Sequence, residues 1–463
     1  MVGLGTMGRN LLLNIADNGF AAIGFDRDPS KGKMLEAAAT TGTLVKAAGS
    51  LEEMIHLLQP PRRIMILVPA GPIVDAVIAE LVPLTEAGDI IIDGGNSHFN
   101  DTLRRINELK NKQVHFIGMG VSGGEEGARR GPSIMPGGDI HAWKALQPVL
   151  EAIAARVNDE PCVAYMGKDA AGHYVKMVHN GIEYAIMQMI SECYDLLKRG
   201  AGFSNETLHS TFKKWNEGDL QSFLVEISAD IFLQKDQLTD SMLVDMILDK
   251  AGSKGTGKWT SQEAMDLPVS IPSIDMAVAM RDLSALKDER KEAAAIFKSS
   301  AKIVSSDKDK IAAQVGDALF TAMLLAYAQG LAMLQKASAT RQMEIPILDV
   351  VRIWRGGCII RSSMLSLFTA AFKKQPKLAN ILLDKKIATL VKKKQKSLRK
   401  VVQLCAAANI PAAALMSSLA YLDAYTSERL PINLVQAQRD LFGAHTYQRV
   451  DREGSFHTEW NER

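Results

Sequence analysis

Between Ala170 and Ile190 apolar and polar positions recur with the period of a helix. Lys176, His179, Asn180, Glu183 and Tyr184 fall at i, i+3, i+4, i+7 and i+8, one stripe of a helix. Val175, Met177, Val178, Ile182, Ile186, Met187 and Ile190 fill the positions between and after them. The pattern predicts a largely buried helix that aligns an amine, an imidazole, an amide, a carboxyl and a phenol along a cleft. The competing expectation is a polar stripe facing bulk water. Upstream, the pattern is of short β-branched runs bounded by turn residues. Ala21–Phe25, Arg63–Val68, Asp89–Asp93 and Val114–Gly118 read as strands, with helix-like segments between them. That alternation predicts a doubly wound parallel sheet, whose ligands sit off the carboxyl ends of the strands. From about Ala170 to about Leu430 the period becomes helical, with few strand signals and no fixed repeat. Pro132–Gly138 reads as a turn-rich structural segment, and the Gly-Gly pair in Trp354–Arg361 as a structural helix break. The divisions expected are 1–169, 170–430 and 431–463. The last is too short for a domain and reads as a docked tail, against the alternative of a frayed terminus.

Composition changes this picture little. The 463 residues, 47% hydrophobic and 23% charged, suit a globular enzyme of more than one domain. A net charge of +2, from 54 basic and 52 acidic residues, gives no reason to expect nucleic acid or a membrane as partner. The basic run Lys392–Lys400 lacks interleaved aromatics and reads as a solvated helix face. Cys162, Cys193, Cys358 and Cys405 form no C-x-x-C pair and read as buried, reduced thiols. No apolar run reaches the ~18 residues of a bilayer span. The first residues do not read as a signal peptide. A soluble cytoplasmic protein is expected.

The chemistry lies in the loops. Met1–Gly8 reads M-V-G-L-G-T-M-G, so Gly3, Gly5 and Gly8 form a G-x-G-x-x-G that turns from strand into helix. The first glycine permits the turn, the second lets a pyrophosphate approach the backbone, and the third packs helix on strand. Only Met1 and Val2 precede the turn, so the first strand is clipped or continues before Met1. Asp26 ends the next strand at the spacing of a ribose-reading acid. Arg27 could pair with a 2′-phosphate, with Lys31 near, whereas Asp26 and Asp28 suit a free ribose hydroxyl. Asn96 in G-G-N-S could touch both substrate and coenzyme. Gly123 and Gly124 in V-S-G-G-E-E-G-A could hold a carboxylate with their N–H groups. Lys254, Thr256 and Lys258 in A-G-S-K-G-T-G-K-W-T suit an anion, against the alternative of an ordinary basic turn. Arg281 opens a charged helical stretch of the kind usually solvated. Arg439 and His445 stand among Leu441, Phe442 and Tyr447 in the tail.

In order, G-L-G-T-M-G, D-G-G-N-S, V-S-G-G-E-E-G-A, K-M-V-H-N-G-I-E-Y, K-G-T-G-K-W-T, R-G-G-C-I-I-R and Q-A-Q-R-D-L-F-G-A-H-T-Y give a chain that resembles the decarboxylating 6-phosphogluconate dehydrogenase family over essentially its whole length. The resemblance implies a Rossmann coenzyme domain, a large all-helical domain that carries homodimerisation, and a tail that reaches the partner's active site. It implies Lys176 as general base and Glu183 as general acid. Asn96, Ser122, Gly123, Gly124, His179 and Asn180 would hold the sugar acid. Tyr184, Lys254, Thr256 and Arg281 would bind the phosphate end, with Arg439 and His445 from the other subunit. Gly3, Leu4, Gly5, Thr6, Met7, Gly8, Asp26, Arg27, Asp28, Val68, Pro69, Ala70 and Asn96 would line the coenzyme. The substrate implied is 6-phosphogluconate. One amine and one carboxyl on a single helix face suffice for this chemistry, so no metal is needed as Lewis acid. The family commonly carries N-R-T where this chain has Asp26-Arg27-Asp28, and a lysine where Pro69 stands. NADP is the coenzyme expected, with NAD as the alternative. Two other readings are a dehydrogenase of unphosphorylated β-hydroxy acids and a coenzyme-binding regulator without catalysis. The cations Lys254, Arg281 and Arg439 argue against the first, and the intact Lys176 stripe against the second.

Overall fold

The computed structural model describes residues 1–298, 300–302, 304 and 307–460. The chain forms two compact units, Met1–Ser418 and Leu419–Arg463.

The first unit opens with strands β1 (Ala22–Gly24), β2 (Val45–Ala47), β3 (Arg63–Ile66), β4 (Ile90–Asp93), β5 (His115–Ser122) and β6 (Ser133–Gly138). β1 pairs with β2, and β3 with β4 and β4 with β5, all in parallel. Met1 and Val2 join the two groups. Val2 bridges to both Phe25 and Ile66, its N–H donates to Met65 O at 2.7 Å, and Phe25 N–H donates to Met1 O at 2.8 Å. The strand order is therefore β2-β1-(Met1–Val2)-β3-β4-β5-β6. Side chains alternate across it. Ile64, Ile66 and Ile91 pack with Val74, Val77 and Leu81 on one face, while Met65, Ile92, Ile117 and Met119 pack with Leu11 and Leu146 on the other. This is the doubly wound α/β sheet expected, with one departure. The segment Pro132–Gly138, read as turn-rich, supplies β6, a fully buried strand antiparallel to β5. Pro136 is tolerated there because its nitrogen, like the amides of Ile134 and Gly138, faces away from β5, toward the segment 162–167, so the ladder with β5 loses no donor. The short β2 carried no sequence signal.

Beyond Pro161 the described residues contain isolated bridges but no further strand. The helix Ala171–Asp195, 25 residues long, runs across β5 and β6. It is buried on nearly every side: among its residues from Ala171 to Ile182, none is exposed. Glycine makes that approach possible. A Cβ on Gly120 of β5 would lie 2.4 Å from Lys176 Cβ, so the lysine stem rests directly on the strand. Behind this helix runs Lys308–Thr340, 33 residues, which packs on it and on Lys385–Ala407. By length and composition Lys308–Thr340 could cross a bilayer, which corrects the expectation that no segment here could. Within the unit 78% of its most apolar stretch is buried, and the helix serves as core. All four cysteines are buried and free. Lys394, in the basic run, is not a free surface charge: it pairs with Asp219 at 3.1 Å and also with Asp317.

The second unit holds the helix Ile432–Gly443 and a bridge between Tyr447 and Phe456. The one buried residue of that helix is Asp440. Its carboxylate accepts from Thr446 N at 2.9 Å, Thr458 N at 3.1 Å, His457 Nδ1 at 2.9 Å and Trp460 Nε1 at 2.8 Å. A carboxylate with four donors closes this unit on itself, and burial is outweighed by these donors, so its pKa falls to about 2.

Candidate active site

The polar stripe of the central helix faces inward. Lys176 is 6% exposed, His179 0%, Asn180 8% and Tyr184 8%. Burial lowers the Lys176 pKa below the ordinary lysine value, with Glu183 opposing. Burial raises the Glu183 pKa, against the pull of Lys176 and Arg281. An amine pushed toward its neutral form and a carboxyl pushed toward its protonated form stand two helical turns apart on one face. His179 is held well below the usual imidazole range, first by burial and further by Lys176 whenever that amine carries its proton. Its Nε2 lies 3.3 Å from Ser122 Oγ, and its Nδ1 lies 3.2 Å from Asn180 Oδ1 and 3.8 Å from Glu183.

The neighbouring elements converge on this stripe. β5 ends at Ser122, and Gly123 and Gly124 follow with φ of 126° and 65°, a turn that favours glycine at both positions. The helix Thr256–Asp266 docks on the central helix. Thr256 Oγ1 accepts from Asn180 Nδ2 at 3.0 Å, and Thr260 Oγ1 donates to Met177 O at 2.9 Å. Arg281, from the helix Pro272–Ala285, stacks its guanidinium 3.5 Å above the Tyr184 ring and donates to Gly252 O at 3.0 Å. It lies on the site rather than on a remote solvated face. Lys254 is exposed in the loop before Thr256.

Off the carboxyl ends of the strands, the Gly3 turn is enforced from outside. Gly3 has φ 96°, and a Cβ there would lie 2.4 Å from Leu67 O. A Cβ on Gly5 would meet nothing within 4 Å, leaving open space over the start of the helix Thr6–Asp17. That cradle fits a dinucleotide pyrophosphate. Leu4 N–H donates to Asp26 Oδ2 at 2.8 Å, and Asp26 also takes Asp28 N at 3.0 Å and Lys31 Nζ at 3.2 Å. Asp28 caps the next helix through Ser30 N at 3.0 Å. Both acids are thus engaged by the chain itself, while the Arg27 side chain, 70% exposed, pairs with Glu80. Val68 is half-buried, and Pro69, Ala70 and Asn96 are exposed beside this edge. The loop under Asn96 is fixed by Asp93, which accepts from Gly95 N at 3.0 Å, Ser97 Oγ at 2.5 Å and Arg105 Nη1 at 3.2 Å. Among the described residues no group of three or more His, Cys, Asp or Glu is placed to hold a metal ion.

Arg439 and His445 belong to the C-terminal unit. Arg439 donates to Gln436 Oε1 at 3.1 Å, and the His445 ring meets Phe442 edge-on at 5.8 Å. The sequence reading missed other parts of the site. Trp354, read as structural, stands edge-on to His179 at 5.5 Å, and Cys358 Sγ–H donates to Trp354 O at 3.0 Å, so this helix break walls the site. His173, one turn before Lys176, is 1% exposed and lies 2.6 Å from Thr102 Oγ1. It sits three residues before Lys176 on the same stripe, but beside Tyr174 and Val175 a lone imidazole carries no signal of its own.

Comparisons with known proteins give the family. Residues 1–167 match the profile of the NAD binding domain of 6-phosphogluconate dehydrogenase, and residues 172–460 that of the 6-phosphogluconate dehydrogenase C-terminal domain. A Bacillus subtilis protein named 6-phosphogluconate dehydrogenase, NADP(+)-dependent, decarboxylating, is 48% identical over 461 residues, covering 99% of this chain and 98% of its own. A chloroplastic decarboxylating 6-phosphogluconate dehydrogenase of Arabidopsis thaliana is 47% identical, covering 99% of this chain and 96% of its own. The solved structure of Plasmodium falciparum 6-phosphogluconate dehydrogenase, described in apo form and with NADP+ or 6-phosphogluconate, superposes with a TM-score of 0.95 at 43% identity and 99% coverage of both chains. With both halves of the chain matched and the polar stripe buried against β5, the chain belongs to the 6-phosphogluconate dehydrogenase family.

Proposed function

We infer that this chain catalyses the oxidative decarboxylation of 6-phospho-D-gluconate to D-ribulose 5-phosphate and carbon dioxide, with NADP as oxidant. The observation that carries this reading is the pair on one helix face, Lys176 buried and Glu183 half-buried: an amine whose pKa burial lowers and a carboxyl whose pKa burial raises. Relatives named for this reaction, matched over their full length, support the substrate and the coenzyme.

Bound NADP supplies the hydride acceptor for C3 of the sugar acid. Gly3 to Gly8 would hold its pyrophosphate, with Val68, Pro69, Ala70 and Asn96 along the same edge. Arg27 is the outward cation available to a 2′-phosphate, since Asp26 and Asp28 are turned to the chain's own amides. Neutral Lys176 takes the proton of the 3-hydroxyl as C3 is oxidised. The product is a β-keto acid, and the protonated lysine then donates to its carbonyl oxygen as the C1–C2 bond breaks and carbon dioxide leaves. Glu183, whose pKa burial raises, gives its proton to the terminal carbon of the enediol that remains. Asn96, Ser122, Gly123, Gly124, His179 and Asn180 hold the sugar acid. Tyr184, Lys254, Thr256 and Arg281 hold its phosphate. Arg439 and His445 complete the phosphate end from a second subunit. Large apolar side chains exposed in one chain, such as Met246, Ile247, Ile296 and Phe297, support a homodimer, in which the tails would be exchanged. A pentose phosphate role and a cytoplasmic location belong to the same reading.

Lys176→Ala and Glu183→Ala separate the steps. Followed by coenzyme reduction and carbon dioxide release, Lys176→Ala should lose oxidation altogether. Glu183→Ala should keep detectable oxidation but release ketopentose slowly. Near-full turnover by Lys176→Ala would refute the assignment of the base.

A further inference from the structure

Trp259, one turn into the helix Thr256–Asp266, meets His98 with ring centroids 4.9 Å apart and planes at 76°, an edge-to-face contact. Each ring stands beside residues proposed for a ligand. The Trp259 ring lies back over the turn before its helix: Gly255 has φ 93°, and a Cβ there would stand 3.2 Å from Trp259 Cζ2. Gly255 separates Lys254 from Thr256, both proposed for the substrate's phosphate. His98 follows Asn96 by two residues and is the N-cap of the helix Phe99–Lys110. Its Nδ1 accepts from Asn100 N–H at 3.1 Å. A backbone amide can only donate, so Nδ1 carries the lone pair and the cap fixes how the ring is turned. The helix of Trp259 is clasped again one turn later. Glu263 accepts from Arg341 Nε at 2.7 Å, from Arg341 Nη2 at 2.9 Å and from Tyr174 Oη at 3.1 Å. Phe99 joins the two contacts, stacking on His98 at 4.8 Å and meeting Tyr174 edge-on at 4.9 Å. His98 and Phe99 belong to the coenzyme-domain match, and Tyr174, Trp259, Glu263 and Arg341 to the C-terminal-domain match, so the cluster ties the two halves together.

Hydride transfer needs the nicotinamide and C3 of the sugar acid in near contact, with one held by the sheet half and the other chiefly by the helical half. Their separation is then set by where the halves touch. We propose that Trp259 and His98 are a positioning pair, whose ring contact sets the Asn96 loop against the Lys254–Thr256 turn and so holds coenzyme and sugar phosphate in register for hydride transfer. The proposal rests on the proposed reaction. Neither ring is assigned to a ligand, and both act through neighbours, His98 through Asn96 and Trp259 through Lys254 and Thr256. Loss of the contact leaves each ligand's own partners in place. It therefore costs turnover of the ternary complex rather than affinity for either ligand alone.

The test is steady-state kinetics of the full-length chain with 6-phosphogluconate and NADP, alongside thermal melting. His98→Asn keeps a side-chain acceptor for Asn100 N–H and removes the ring. Trp259→Leu removes the other ring and keeps an apolar side chain, while Trp259→Phe keeps an aromatic ring for His98 to meet. His98→Asn and Trp259→Leu are each expected to lower kcat about tenfold, short of the roughly hundredfold cost of a full ångström of misplacement. Both KM values should stay within about twofold of wild type. Trp259→Phe should recover most of the lost kcat. The double variant of His98→Asn and Trp259→Leu should fall no further than either single one, because both remove the same contact. Melting temperatures should drop by no more than about 4 °C, the worth of one aromatic pair. A kcat within about twofold of wild type in both single variants overturns the proposal, whatever their stability, since packing alone would then be the role. Losses that multiply in the double variant overturn it too, as does a Trp259→Phe chain as slow as Trp259→Leu. A wild-type chain that fails to reduce NADP with 6-phosphogluconate would overturn the proposed reaction itself. Active wild type with unaltered variants would overturn only the role of the ring pair.

Discussion

An amine in an apolar pocket is held there against its own solvation, and Lys176 is in that position. Its stem lies on Gly120, its neighbours are His179 and Glu183, and burial favours its neutral form. With its pKa lowered on folding, the amine holds a proton more readily in the unfolded chain, so below the ordinary lysine range the fold is destabilised by this residue. That penalty fades as pH rises through the ordinary value of 10.5, above which the amine is neutral in both states. Lys176→Met should therefore abolish turnover and yet stabilise the protein at neutral pH by about 1–3 kcal/mol. The gain should shrink steadily as the medium becomes more alkaline. Parallel thermal melts of wild type and variant across that range check it. A variant that melts below wild type at neutral pH would mean the lysine is solvated or paired, not a neutral base.

The element that places the amine is the contact between the central helix and β5. Gly120→Ala would set a methyl 2.4 Å from Lys176 Cβ and 2.9 Å from Cγ, both near the backbone and unable to swing away. The helix must shift outward. The expected result is a folded chain destabilised by about 1–3 kcal/mol, with kcat reduced about a hundredfold by misplacement on the order of an ångström. Melting and initial rates on the same preparation separate the two effects; an unaltered kcat would show that the lysine does not depend on this contact. The same element shows what the sequence makes legible. Lys176, His179, Asn180, Glu183 and Tyr184 are readable because polar residues at helical spacing in an apolar run have few other meanings. His173 is not, since a single imidazole ahead of Tyr174 and Val175 looks like ordinary core, and its partner Thr102 lies 71 residues away. Trp354 and Cys358 are hidden for a related reason: a Gly-Gly break announces a turn but not what the turn rests against. β6 is missed because Pro136 and its glycines mimic a loop, and only pairing with β5 makes them a strand. Arg281 reads as solvated until Tyr184 is seen beneath it. Periodicity reports what one element does alone, and contacts between elements are beyond it.

At the scale of the whole molecule, the residues proposed as base and acid lie in Met1–Ser418, while two of those proposed for the phosphate end, Arg439 and His445, lie in the separate unit Leu419–Arg463. Whether a chain uses its own tail or its partner's can be decided by mixing two inactive variants. Lys176→Met lacks the base but has an intact tail; Arg439→Ala has the base but a damaged tail. If tails are exchanged, a mixed dimer contains one site built from the good base of one chain and the good tail of the other. Its second site carries both defects. Random reassociation makes half of the dimers mixed, so about one quarter of wild-type activity should return from two preparations that have almost none. If each tail serves its own chain, every site in the mixed dimer carries one defect, and mixing restores nothing. The assay needs only coenzyme reduction before and after joint unfolding and refolding, with each variant refolded alone as control. Recovery near the expected fraction is the signature of a site completed in trans, and its absence, with mixed dimers present, would assign the tail to the chain that bears it.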